Sequence, residues 1–253
     1  DTATVTQTVS TDGASTDTTA EGATIDASDA AGTEDTAIAL DIDVTQLDTD
    51  GSESLTINIS DIPEGAVLTD ANGNEITITN GAAEVSADQL EGLTITPPDD
   101  SNADFALTVT ATTVEEASGA VNTTETTINV DVTGDADTPT LTANDVSGDE
   151  DTAIALDLSS ALTDTDGSET LSVTISDIPD GMVLTDAEGN EIIITEGSAD
   201  VSADQLAGLT IMAPDDYNGT FDLTVTATST ENDGDAATTT STFTVDIDAV
   251  NDG

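Results

Sequence analysis

Glu34-Asp35-Thr36-Ala37-Ile38-Ala39-Leu40-Asp41 returns 116 residues later as Glu150-Asp151-Thr152-Ala153-Ile154-Ala155-Leu156-Asp157. The same step carries Asp48-Thr49-Asp50-Gly51-Ser52-Glu53 to Asp164-Thr165-Asp166-Gly167-Ser168-Glu169, and Val85-Ser86-Ala87-Asp88-Gln89-Leu90 to Val201-Ser202-Ala203-Asp204-Gln205-Leu206. A period of this length is too long for a solenoid turn and suits one small domain that buries its own core. The units are placed at 22–137 and 138–253. Residues 1–21 read as the tail of a preceding repeat or a linker, with Thr4-Val5-Thr6-Gln7-Thr8-Val9 alternating like a last strand. The chain thus reads as two copies from a tandem array that continues beyond both ends.

Within a copy, the hydrophobic residues recur at every second position, which signals half-buried strands. Leu55, Ile57 and Ile59 share a face, with Thr56 and Asn58 opposite. Ile76 and Ile78, Leu93 and Ile95, then Phe105, Leu107 and Val109, and finally Ile128, Val130 and Val132 repeat the pattern. Asp70-Ala71-Asn72-Gly73-Asn74 reads as a hairpin turn. Ser86 is placed to cap one helical turn from Ala87 to Leu90, stopped at Gly92. Pro63, Pro97 and Pro98 fall between runs, where no ladder hydrogen bond is needed. Seven or so short strands with regular turns predict an all-β chain of two tandem immunoglobulin-like antiparallel β-sandwiches, with another Greek-key β fold as the alternative.

The 253 residues carry 54 Asp and Glu and no Lys, Arg or His, a formal charge of −54. Such composition with few aromatics is also the mark of disorder, but the alternation argues against it. Nucleic-acid binding and attachment to anionic membranes both need cations that the chain lacks. Without Cys there is no disulfide, zinc thiolate or thiol nucleophile; without His or Lys there is no triad or Schiff base. No run of about 18 apolar residues is present to span a bilayer. No basic n-region with an apolar h-region marks a signal peptide, so the chain reads as an internal fragment or mature segment. A carboxylate-pair glycosidase is disfavoured because such clefts are usually lined with aromatics, and only Phe105, Tyr217, Phe221 and Phe243 exist.

The acidic loops carry the functional signal. If the first strand runs near 36–42 and later strands alternate, Asp48–Glu53, Asp99–Asn102 and the exit Asp131–Asp137 gather at one pole. The next copy is expected to bring Asp149, Glu150 and Asp151 there. Carboxylates packed together without basic partners need a cation or raised pKa values. Hard oxygen ligands at this density suit Ca²⁺ better than Mg²⁺, which keeps its waters and demands a strict octahedron. The spacing of Asp48-x-Asp50-Gly51-x-Glu53 is not that of an EF-hand. The candidate ligands are Asp48, Asp50, Glu53, Asp99, Asp100, Asn102, Asp135 and Asp137 in the first copy. In the second they are Glu150, Asp151, Asp164, Asp166, Glu169, Asp215, Asp216, Asn218, Asp248, Asn251 and Asp252. Asp88, Glu91 and Glu116 read as solvated surface.

Glu150-Asp151-Thr152-Ala153-Ile154, the Asp164-x-Asp166-Gly167 loop, Pro214-Asp215-Asp216-Tyr217-Asn218-Gly219 and the exit Asp248-Ala249-Val250-Asn251-Asp252 resemble the cadherin-like repeats of giant bacterial RTX adhesins. The exit is similar to the cadherin linker Asp-x-Asn-Asp-Asn; Asp135-Ala136-Asp137-Thr138-Pro139 departs from it in lacking Asn. The resemblance covers both copies and implies immunoglobulin-like extender modules, exported by type I secretion to the bacterial surface. Such modules bind Ca²⁺ at junctions with neighbouring repeats of the same chain and hold a ligand-binding tip away from the cell. A monomer is expected at this charge. The alternatives are direct receptor or glycan binding, and an acidic halophilic surface repeat without specific metal sites. Thr-x-Thr runs such as Thr224-Val225-Thr226 invite an ice-binding reading, but Thr is an ordinary outer-face strand residue.

Overall fold

The structure is a computed structural model and describes residues 18–48 and 50–251. The expected strand Thr4–Val9 and the candidate ligand Asp252 lie outside the described residues. Two compact units divide at Thr133 and Gly134.

Unit 1 contains β1 (Ala23–Ala27), β2 (Ala30–Thr33), β3 (Ile38–Ala39), β4 (Ile42–Gln46), β5 (Glu53–Ser60), β6 (Val67–Thr69), β7 (Glu75–Ile76), β8 (Ala83–Val85), α1 (Ala87–Leu90), β9 (Thr94–Thr96), β10 (Phe105–Glu115) and β11 (Val121–Thr133). One sheet runs β2-β11-β10-β5-β8 and the facing one β3-β9-β6-β7. β3 and β4 are one run interrupted at Leu40–Asp41, so the pair β1-β4 continues the second sheet; Leu40 N–H still bonds Leu93 O at 2.9 Å. Side chains from both sheets, Ile57, Ile59, Leu107 and Val109 facing Leu68, Leu93 and Ile95, fill one aliphatic core. Each such fully buried side chain contributes roughly 1.5–3 kcal/mol. Unit 2 repeats this order. Val146–Asp149, Ala236–Asp248, Gly219–Thr230, Thr170–Ser176 and Ala199–Val201 form its larger sheet. Its smaller sheet is made of Ile154–Ala155, Thr210–Met212, Val183–Thr185 and Glu191–Ile192. Both units are immunoglobulin-like antiparallel sandwiches with one parallel edge pair.

The expected turn elements form. Asp70 Oδ1 accepts the N–H groups of Asn72 (2.8 Å) and Asn74 (2.9 Å) and closes the β6–β7 hairpin. Ser86 N–H donates to Gln89 Oε1 at 2.9 Å at the start of α1, and Ser202 with Gln205 repeats this.

The direction assigned to the strands from sequence is corrected. Two strands, β1 and β2, precede the run 38–46, and their inward positions are largely Ala and Gly, too weak an alternation to announce them. β2 lies parallel to the departing strand β11 and so runs toward the C-terminal pole, whereas β4 is antiparallel to β1 and runs back toward the N-terminal pole. Gly32 makes the crossing possible: a Cβ there would stand 2.6 Å from Ile38 Cγ1, and one at Gly148 would stand 2.7 Å from Ile154 Cγ1. The loop Asp48–Glu53 therefore lies at the N-terminal pole, not beside Asp99–Asn102 and the exit. By the same parity Asp149, Glu150 and Asp151 lie at the C-terminal pole of their own unit. Each unit has two acidic poles rather than one.

Candidate metal-binding poles

At the N-terminal pole of unit 2, the strand alternation Leu223, Val225, Ala227, Ser229 carries one step further and points Glu231 inward. The loop after Ala161 brings Asp164 and Glu169 to meet it. The three carboxylates lie within 4.8 Å of one another and are 3% (Asp164), 6% (Glu169) and 3% (Glu231) exposed. Charged carboxylates at that separation repel by roughly 3 kcal/mol per pair at an effective dielectric constant near 20. No cationic side chain exists in the chain to offset this.

The local hydrogen bonds order the loop without neutralising it. Asp164 Oδ1 accepts Asp166 N–H (2.7 Å) and Asp166 Oδ1 accepts Ser168 N–H (2.7 Å), two consecutive Asx turns. Ser168 Oγ stands 3.1 Å from both Asp164 Oδ2 and Glu231 Oε1 and has a single proton to give. Asp137 N–H reaches Glu169 Oε1 at 2.6 Å, and Ser229 donates its hydroxyl to Asp137 O. Glu169 Oε2 is buried with no hydrogen-bond donor. Burial pushes the Glu169 carboxyl above the ordinary Glu range; the Asp137 N–H opposes this, and the charges of Asp164, Glu231 and Asp137 add to it. Burial likewise raises Glu231; the Ser168 hydroxyl and the Asn232 N–H oppose this, and the charges of Asp164 and Asp166 add to it. The donor set, all hard oxygen, fits a cation that takes 6–8 oxygens in flexible geometry. Gly134 passes so close that a Cβ there would stand 2.6 Å from Glu231 Oε2.

Unit 1 builds the same pole differently. Glu21, Asp48 and Glu53 form the group within 4.8 Å. The counterpart of Glu231 is Glu115, fully buried, and both its oxygens are bonded: Oε2 by Ser52 Oγ (2.8 Å) and Oε1 by Ala117 N–H (3.0 Å). Asp48 and Asp50 make the same pair of Asx turns. Glu53 accepts Glu21 N–H on Oε1 and Gln46 Nε2–H on Oε2 (3.2 Å).

At the C-terminal poles the two loops beside the exit are tied together. Asp100 N–H donates to Asp35 Oδ1, and Asp216 N–H to Asp151 Oδ1, each at 3.0 Å. Asp35, Asp100, Asp151 and Asp216 all adopt left-handed backbone, a conformation that Asp tolerates better than most residues. In unit 2, Glu150 is buried; Val250 N–H bonds its Oε1 (2.7 Å), Asn218 Nδ2–H its Oε2 (3.3 Å), and its own N–H meets Asp248 O (2.9 Å). Glu34 holds the equivalent buried position in unit 1, its N–H on Thr133 O (3.0 Å).

Of the candidates read from sequence, the structure gathers Asp48 with Glu53, and Asp137, Asp164 and Glu169, at N-terminal poles. Asp50 and Asp166 shape the loops there. Asp135 is exposed in the segment leading into unit 2. Glu150, Asp151, Asp216, Asn218 and Asp248 meet at the C-terminal pole of unit 2, with Asn251 exposed just beyond Val250; Asp100 and Asn102 belong to that of unit 1. Asp99 and Asp215 are exposed at their loop tips. Among the described residues, none of these C-terminal-pole candidates joins a group of three carboxylates within 4.8 Å. Sequence reading missed Glu21, Glu34, Glu115 and Glu231. The last two were open to it, because period-two counting from Leu107 and Leu223 places both on the buried face.

No family model and no curated protein matches the chain. Similar solved structures include PcdhgB3 EC1–4, at 10% identity and TM-score 0.44, covering 91% of this chain and 50% of that one. Human mucin-like protocadherin EC1–2 gives 13% and 0.44, covering 91% and 100%. Human CDH23 EC21–23 gives 17% and 0.43, covering 88% and 66%. The chain thus spans about half the length of PcdhgB3 EC1–4. With TM-scores below 0.5, the fold assignment rests on the chain's own sheets and core rather than on these likenesses. No described helix is long and apolar enough to cross a membrane.

Proposed function

We propose that the chain is a calcium-stiffened extender segment of a large bacterial surface adhesin, working outside the cell after type I secretion. Its partners are Ca²⁺ and the neighbouring repeats of the same chain, and it acts as a monomer. The observation that carries the reading is the set of buried carboxylates at the N-terminal pole of unit 2, in a chain without one cationic side chain. The segment Gly134–Asp137 is bonded into that pole through Asp137 and Glu169. An ion held there braces the stretch of chain by which unit 2 is entered. The role is mechanical and involves no catalysis. Extracellular modules typically bind Ca²⁺ with Kd of about 10⁻⁴–10⁻³ M, so such sites are empty in cytosol and filled outside.

The test is a thermal melt followed by circular dichroism, since there is no Trp. Chelator, a few millimolar Ca²⁺, equal Mg²⁺ and screening-matched NaCl are compared. Filling one site at about 100 times its Kd adds roughly 2.7 kcal/mol, so Ca²⁺ alone is expected to raise the midpoint strongly. An equal rise in all three salts would leave only screening of the −54 charge, the acidic halophilic alternative.

A further inference from the structure

The two N-terminal poles are homologous but not equivalent, and the pair Gln46 and Leu162 is one of the positions at which they differ. In unit 1, Gln46 Nε2–H donates to Glu53 Oε2 at 3.2 Å, so a neutral amide satisfies that oxygen. The position 116 residues on is Leu162, which has no donor. There the homologous oxygen, Glu169 Oε2, is buried without a hydrogen-bond partner, on a residue only 6% exposed. At this one carboxylate unit 1 supplies a side-chain donor, whereas unit 2 leaves Glu169 Oε2 without one in a more buried setting. We infer that the N-terminal pole of unit 2 takes Ca²⁺ before, and more tightly than, that of unit 1, and that Gln46 against Leu162 sets much of the difference. This rests on the calcium reading above and adds an order of filling to it.

A donor to an ionised carboxylate contributes more than a neutral pair, so the expected separation is about tenfold or more in Kd. The full chain is titrated with CaCl₂ from a chelated start and followed by amide NMR. Asp137, bonded to Glu169, reports the unit 2 pole; Glu21 and Ala117, bonded to Glu53 and Glu115, report unit 1. The Asp137 signal is expected to saturate at about tenfold lower Ca²⁺. Leu162→Gln should bring the two midpoints together, and Gln46→Leu should tighten unit 1. Glu169→Gln should weaken unit 2 while leaving Glu21 and Ala117 unchanged; if it leaves the Asp137 midpoint unchanged, a bound proton rather than Ca²⁺ satisfies Glu169, and the inference fails. Equal midpoints, or unit 1 first, would overturn the order of filling and leave the calcium reading standing. Silence at both poles would overturn both.

Discussion

Replacing Gly134 by Ala is expected to destabilise unit 2, against the usual sign for such a change. The new Cβ would lie 2.6 Å from Glu231 Oε2 and 2.7 Å from both Cδ and Cγ. Comfortable contact needs about 3.5 Å, so carboxylate and chain must separate by about 0.8–0.9 Å. Glu231 Oε1 stands 3.1 Å from Ser168 Oγ, and a retreat of that size takes it out of hydrogen-bond range. Loss of a hydrogen bond to a charged group costs about 1.5–3 kcal/mol. Gly to Ala gains about 0.4–1 kcal/mol by restricting the unfolded chain. The net is a loss of about 1–2 kcal/mol, several degrees in the unit 2 transition at roughly 4 °C per kcal/mol. Urea unfolding in chelator, followed by circular dichroism, measures it. The same substitution in a Glu231→Ala background removes the steric partner and is expected to be neutral or stabilising, which closes a double-mutant cycle. An equal loss in both backgrounds, or a gain in the parent, would refute the argument.

Two further outcomes follow from the same structure. In chelator, the folded-state pKa values of Glu169 and Glu231 lie above the ordinary 4.5, so the native state binds protons more tightly than the unfolded one. Their contribution is full below the ordinary value and lost as pH rises through the raised ones; ion-free protein should melt higher near pH 5 than at pH 7, and Glu169→Gln with Glu231→Gln should flatten that slope. Asp186, held low by its Asn190 bonds, works in the opposite sense only as pH falls below its ordinary 3.8. In the core, Leu209 is fully buried, and Leu209→Ala should cost unit 2 about 2–5 kcal/mol by calorimetry, with the unit 1 transition unmoved.

Much of the molecule is local and could be read from residues alone. The 116-residue repeat set the number of units, the alternation through Ile57, Leu107 and Ile128 set the class and the buried face, and Asp70 and Ser86 set a hairpin and a helical turn. The charge fixed that neutralisation must come from outside the chain. Which acids meet was decided elsewhere. A strand's direction depends on how many strands precede it, and β1 and β2, with small side chains inward, gave the alternation little to detect. One uncounted reversal sends Asp48–Glu53 to the opposite pole and Glu150 to its own. Whether a gathered carboxylate is short of a partner is likewise a tertiary matter. Gln46 and Leu162 sit at the same place in two nearly identical copies, and only the folded geometry shows that one satisfies a buried oxygen while the other leaves it bare.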